Sequence, residues 1–244
     1  MFYFDEINGK KVVKSSLLEG LNHFFTTRES IIKTKEPDFK AIVCENKKDI
    51  CKFLNIDEKN LIYPSQTHTS NVDIAKIGIN NYPDTDGLIL TNKEQAVFLN
   101  FADCTPVIIY DSSNNIAAVS HAGWRGTAGK IAVKTVEKMM KEFGSNPKEL
   151  KCAIGPAISL CCYNVGKDVY EKLMDTVKLQ DGLFEIRKGE IFVDLKTINK
   201  RQLEEIRVKD IDVCPYCTVC NNDLFFSYRK ENATTNRHSA VIKL

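Results

Sequence analysis

The chain has 244 residues, 43% of them hydrophobic and 27% charged, with a formal net charge of +2. That length buries most of its apolar surface as one large domain or two small ones. The near-balanced charge predicts no nucleic-acid partner and no anionic membrane partner, and no apolar run approaches the ~20 residues of a membrane span.

From the N-terminus, Asp5 and Glu6 interrupt the only apolar start, so no signal-peptide core is expected. A polar loop is predicted over 33–38 and a helix over 47–54, ended by Asn55-Ile56-Asp57. A short apolar stretch over 61–63 leads into Ser65-Gln66-Thr67-His68, and a run over 72–79 ends at the turn signal Asn80-Asn81-Tyr82-Pro83. Strands are predicted over 96–102, 107–111 and 116–120. The last two form a hairpin through Ser112-Ser113-Asn114-Asn115. A helix is predicted from near Thr127, with Ala132, Val136, Met139, Met140 and Phe143 as its apolar stripe and Gly144 as terminator. Further on come a strand over 152–154, a helix over 167–177, a strand over 191–195 and a helix over 197–206. The last predicted strands are 224–228 and 240–243. Strands and helices mixed throughout, with hairpins, predict an α+β (mixed α/β) fold rather than a doubly wound parallel sheet.

Only four histidines exist, His23, His68, His121 and His238. With Asp111 opposite Ile116 in the hairpin, His121 falls opposite Pro106, and Cys104 lies two residues from Pro106. Side chains alternate along a strand, so Cys104, Pro106 and His121 share a face. Cys104 and His121 are then diagonal neighbours, with backbones roughly 7–8 Å apart. A one-residue slip of register would separate them. His68 must arrive from a separate segment. Two His and one Cys form a set that catalytic zinc uses, leaving a position for water, and imidazole with thiolate also suits copper. The bland alternatives are a small buried thiol and hydrogen-bonded histidines. A metal-free Cys104 nucleophile with His121 as base is also open.

Gly123-Trp124-Arg125-Gly126 joins a strand to a helix start, either as an anion site or as a tight turn around Trp124. Cys214, Cys217 and Cys220 stand at CxxCxxC spacing without a nearby His, a weak metal or cluster signal. Nine cysteines, an odd count, several in apolar runs, fit reduced thiols and a cytoplasmic location better than a disulfide framework. Asp84 and Asp86 read as part of a turn rather than a calcium pair. No zinc nucleoside deaminase signature, HExxH or GxSxG motif is present.

The sequence resembles the laccase-domain family, also called multicopper polyphenol oxidoreductase-like or purine nucleoside phosphorylase-type. The resemblance is carried by Ser65-Gln66-Thr67-His68, Asp86-Gly87-Leu88-Ile89, Ala102-Asp103-Cys104-Thr105-Pro106 and His121-Ala122-Gly123-Trp124-Arg125-Gly126. Ala153-Ile154-Gly155-Pro156-Ala157-Ile158, Cys162-Tyr163-Asn164-Val165-Gly166 and Phe225-Phe226-Ser227-Tyr228-Arg229 extend it over nearly the whole chain. It implies one catalytic domain over residues 1–244, with helices and mixed sheets stacked in layers. That fold is distantly like the deamidating-toxin cysteine hydrolases. It also implies a metal, zinc or copper, on His68, Cys104 and His121.

The implied activities are phosphorolysis of adenosine, inosine and methylthioadenosine, and deamination of adenosine. Copper-dependent phenol oxidation is the family's older assignment; oxygen reduction needs several coppers, which four histidines cannot build. A nucleoside-binding module without turnover is a further alternative. Within the leading reading, zinc is the cofactor, and purine nucleoside and phosphate are the partners. Cys104 and His121 work at the centre, and Asp103 carries a proton or orients the ligand shell. Arg28 and Arg125 meet phosphate, and Gln66 hydrogen-bonds purine or ribose. The sequence assigns no oligomeric state. Two departures from the family pattern stand out. Thr26-Thr27-Arg28-Glu29-Ser30 lacks the usual Gly-Gly pair, and Thr235-Asn236-Arg237 has Asn for Gly, where a left-handed backbone would suit either residue. Cys214 is extra to the family's cysteine segment, whereas Cys217 and Cys220 fit it.

Overall fold

A computed structural model describes residues 1–244. In chain order its elements are β1 (Phe2–Ile7), β2 (Lys10–Ser15), β3 (Asn22–Thr26), α1 (Lys40–Leu54), β4 (Leu61–Ile62), β5 (Val72–Ile74) and β6 (Gly87–Leu90). Then follow β7 (Ala96–Phe101), β8 (Thr105–Asp111), β9 (Ile116–Ala122), α2 (Trp124–Ala128), α3 (Ile131–Phe143) and β10 (Lys151–Ile154). The remainder is β11 (Asn164–Val165), α4 (Lys167–Met174), β12 (Phe184–Arg187), β13 (Glu190–Val193), α5 (Leu195–Glu205), β14 (Asp210–Val213) and β15 (His238–Lys243).

The strands form two six-stranded mixed sheets, β1-β2-β3-β15-β7-β4 and β14-β10-β8-β9-β6-β5, and a small sheet β11-β13-β12. The α+β class and the layered arrangement follow directly. Val97, Leu99 and Ile242 of the first sheet meet Leu88, Ile108 and Val119 of the second in one core. The outer face of the second sheet, through Ile89, Val107 and Ile109, packs on Val136 and Met139 of α3 and Leu203 of α5. The outer face of the first, through Phe24, Phe98 and Val241, packs on Ile50, Cys51 and Leu54 of α1. Both faces of the central strands are therefore buried. That explains why β7, β8 and β9 read as unbroken apolar runs rather than alternating ones. No helix is long and apolar enough to cross a membrane.

The predicted hairpin register holds: Asp111 pairs with Ile116 and Pro106 with His121. Gly144 ends α3 in the left-handed region at φ 70°, as the terminator reading required. Four expectations need correction. The single helix from Thr127 is two helices, because Lys130 adopts φ 55° and breaks the run. Met140 of the predicted stripe is exposed. The 224–228 segment is a chain of turns, with Phe225 accepting no strand partner and donating instead to Asn221 O; its aromatic content reflects burial of Phe225 and Phe226, not pairing. Asn236 is not left-handed; Asn232 and Ala233 are, at φ 48° and 66°.

Candidate metal centre

His121 lies near the end of β9, and Cys104 immediately precedes β8. The hairpin register brings them together, and the loop between β4 and β5 delivers His68. The ligating atoms of His68, Cys104 and His121 all lie within 4.8 Å of one another, and the two imidazole centroids are 4.9 Å apart at 73°. His121 is buried, Cys104 partly buried and His68 exposed, so the group opens to solvent on the His68 side. Gly123 makes this convergence possible. A Cβ there would sit 3.0 Å from the Cys104 sulfur and 3.3 Å from the His68 ring.

The organiser of the group is Asp86, fully buried, which precedes β6. Its carboxylate accepts hydrogen bonds from the backbone N–H of Thr67 (3.1 Å), His68 (3.1 Å) and Thr69 (2.8 Å), and from the Thr69 hydroxyl (2.9 Å). His68 adopts φ 65°, and this left-handed residue curls three successive N–H groups around one anion. The unfavourable conformation at His68 persists because that carboxylate over-determines it. Asp86 Oδ1 also meets His121 Nδ1 at 2.8 Å. That contact leaves His121 Nε2 for the thiol or a metal, the usual arrangement of a ligating histidine and its outer carboxylate. Burial alone would raise the Asp86 carboxyl, but the His121 contact and the surrounding N–H groups hold it at about 2.

Without metal the trio is an ion pair. Burial would push the Cys104 thiol up, yet the charge and hydrogen bonds of His121, with help from His68, bring it to about 6. Burial would likewise pull His121 down, and the Cys104 thiolate and Asp86 together lift it to about 9. Between those values Cys104 is thiolate and His121 imidazolium. Two nitrogens and one thiolate sulfur, with the second histidine nitrogen anchored, match the donor chemistry of a three-ligand zinc or copper site. The other histidines stand apart. His23 accepts from the Ser15 N–H (3.0 Å) with its other ring nitrogen 2.9 Å from Leu21 O. His238 is buried with neither ring nitrogen partnered.

The remaining predicted residues are placed as follows. Asp103, at φ 83°, accepts from the Thr218 hydroxyl (2.6 Å) and the Arg229 N–H (2.7 Å). Its two oxygens therefore tie distant loops to the start of β8. Gln66 uses both ends of its amide on the backbone of Asn100, at 2.9 and 2.8 Å. It mimics a strand partner to β7. Arg28 pairs with Glu231 at 2.9 Å and stacks on Phe226. Arg125 is exposed, its guanidinium 4.2 Å from the Trp124 ring.

Three residues that fall in the motifs carrying the resemblance received no role from the sequence. Asp86 was hidden inside what reads as a turn. Tyr163 is pushed up to about 12, by burial first and by the Cys104 charge next, with Arg229 and Arg125 opposing; it therefore stays a hydroxyl beside the site. Arg229 stacks over Tyr163 at 5.4 Å and donates to Asn164. It borders an open groove of about 690 Å³ lined also by Asn164, Lys167 and Glu190. The CxxCxxC triplet does not act as a unit. Cys214 is buried by itself, while Cys217 and Cys220 join Cys161 and Cys162.

Layered mixed sheets with a His–Cys–His group at a hairpin end define a class of α+β protein with a metal-competent centre. Residues 26–244 match the family model described as multi-copper polyphenol oxidoreductase laccase, and the chain belongs to that family. Purine nucleoside phosphorylase YlmD of Bacillus subtilis (strain 168) is 31% identical over 222 residues, covering 84% of this chain and 78% of the relative. Adenosine deaminase RL5, from an unknown prokaryotic organism, is 30% identical over 200 residues, 75% of each chain. The crystal structure of the Bacillus licheniformis hypothetical protein YfiH has a TM-score of 0.90 at 28% identity, over 99% of this chain and 98% of that one. With relatives named as enzymes at this similarity, the chain is an enzyme.

Proposed function

We propose that residues 1–244 act as one metal-dependent catalytic domain on purine nucleosides, catalysing phosphorolysis of adenosine, inosine and methylthioadenosine and deamination of adenosine. The observation that carries this reading is the convergence of His68, Cys104 and His121 within 4.8 Å, with His121 oriented by Asp86. The names of YlmD and RL5 support the substrate class. His68 Nε2 or Nδ1, Cys104 Sγ and His121 Nε2 would hold zinc. A zinc ion so held would supply Lewis acidity, lowering the pKa of water towards neutrality. Copper suits the same donors, but only two of the four histidines reach the site, which weighs against a multi-copper oxidase.

The chain's own groups account for binding. Arg125, exposed beside Trp124, and Arg229, over the Tyr163 ring, are the candidate phosphate partners. Arg28 is charge-compensated by Glu231 and is the weaker phosphate partner. The protonated Tyr163 offers a hydroxyl to a ribose oxygen or to the departing base. Asp103 positions Arg229 through its N–H rather than carrying a proton. Incubating the protein with adenosine tests the assignment. With phosphate, adenine and ribose 1-phosphate are expected; without it, inosine. Absence of all three products from zinc-loaded protein sinks adenosine as substrate.

A second reading rests on the thiolate–imidazolium pair of Cys104 and His121. The pair has the polarity of a cysteine hydrolase. Under it, metal inhibits instead of activating.

A further inference from the structure

Four thiols that no part of the proposed reaction uses meet at one point. Cys161 and Cys162 occupy the turn before β11, and Cys217 and Cys220 the turn after β14. Their sulfurs all lie within 4.8 Å of one another. The Cys220 sulfur is 3.6 Å from that of Cys161 and 3.5 Å from that of Cys162. Zinc–sulfur bonds of about 2.3 Å arranged as a tetrahedron place sulfurs about 3.8 Å apart. The two Cys220 separations are thus close to tetrahedral edges, and the remaining ones lie within 4.8 Å. Disulfide sulfurs lie at about 2.05 Å, and an iron–sulfur cluster spreads its cysteines over several irons, wider than this group.

The surroundings fit an anionic metal complex. Lys196, only 4% exposed, donates to Cys214 O (2.7 Å) and Tyr216 O (3.3 Å) in the strand end and turn that carry Cys217. Arg187 donates to Cys161 O at 3.2 Å. Lys196 thus places one cation beside a group that four thiolates and one zinc ion would leave net negative, while the Arg187 charge is met by Glu185.

We propose that Cys161, Cys162, Cys217 and Cys220 bind a structural zinc ion, separate from the His68–Cys104–His121 group. Each thiol gives its proton to solvent as its sulfur bonds the metal. The ion would clamp the turn of Cys161 and Cys162 to the turn of Cys217 and Cys220, which already touch through the Ala157–Cys217 bridge. Both turns support Asp103: Ile158 N–H donates to its carbonyl (3.0 Å) and the Thr218 hydroxyl to its carboxylate. The zinc would stiffen one wall of the candidate active site without entering it.

The test is metal content of the full chain purified under reducing conditions, with cobalt substitution as a second readout. In the His68→Ala/His121→Ala variant all four thiols remain. It is expected to keep one zinc, and with cobalt to show the intense sulfur-to-metal absorption of a tetrathiolate site. Cys161→Ser/Cys220→Ser is expected to lose one zinc equivalent relative to wild type. Should the first variant take up neither zinc nor cobalt at this site, the proposal is overturned, whatever happens to folding of the second. Closure of the reduced, metal-refusing thiols into a disulfide on mild oxidation would also overturn it, in favour of a redox pair.

Discussion

Asp86 and His121 are joined by a 2.8 Å contact between Oδ1 and Nδ1, and the same carboxylate gathers the three N–H groups of the loop that presents His68. One buried anion thus orients two of the three candidate ligands. Asp86→Asn keeps the volume but removes the charge. Zinc affinity at the His68–Cys104–His121 group is expected to fall about 10–100-fold, with stability lower by about 1–3 kcal/mol as one of the two acceptor oxygens becomes an NH2 donor facing its former donors. Chelator competition and thermal melting measure the two effects separately.

Gly123→Ala places a methyl group against the Cys104 sulfur and the His68 ring. Metal binding and turnover are expected to fall at least tenfold while the fold survives. Gly144→Ala is the contrast. Its φ of 70° strains any side chain, but nothing lies within 4 Å, so it should cost about 1 kcal/mol of stability and leave metal affinity unchanged. Equal loss of metal affinity in both variants would contradict the close-approach argument.

Cys104, held at about 6 by burial opposed by the His121 charge and hydrogen bonds, should react as a thiolate well below the range of a free cysteine near 8.5. In metal-stripped protein, iodoacetamide labelling of Cys104, followed by peptide mass, should rise through pH 6 and level off by about pH 8. Zinc should block it. Asp86→Asn should move the midpoint up, because His121 loses the carboxylate that favours its cation. A wild-type midpoint near 8.5 would remove the ion pair from the account.

His238 is held down to about 3, by burial first and then by Arg237, from an ordinary 6.5. Between those values the unfolded chain carries a proton that the folded chain excludes. Stability should therefore fall as pH drops below 6.5, by about 1.4 kcal/mol per pH unit for this group, levelling off below about 3. His23, also lowered by burial, acts in the same direction. Urea titrations of wild type and His238→Leu across pH 4–7 should differ in slope by up to one proton. Parallel curves would mean that the buried ring finds a partner for its charge.

The sequence made the centre partly legible because the hairpin turn fixes the register, and register decides that Cys104 and His121 share a face. The role of Asp86 was not legible. An Asp before a glycine has the signature of a turn, and only the folded loop of Thr67 to Thr69 shows the carboxylate as a hub. The central strands were found, but not which residues face which layer, since both faces are apolar. The four-thiol group was out of reach for the same reason as Arg229: its halves lie in separate turns that only the packed sheets bring together. The visible CxxCxxC spacing pointed to the wrong third member, Cys214, which lies buried at the end of β14.

A metal held by His68, Cys104 and His121 is the proposed requirement of the reaction. It is tested most directly by titrating zinc into metal-stripped protein and following adenosine conversion at each step, in wild type and in His68→Ala. In wild type, turnover is expected to rise with bound zinc; in His68→Ala both the zinc and the turnover are expected to be lost. Metal-stripped protein that converts adenosine as fast as the loaded form would contradict it and transfer the chemistry to the Cys104–His121 pair.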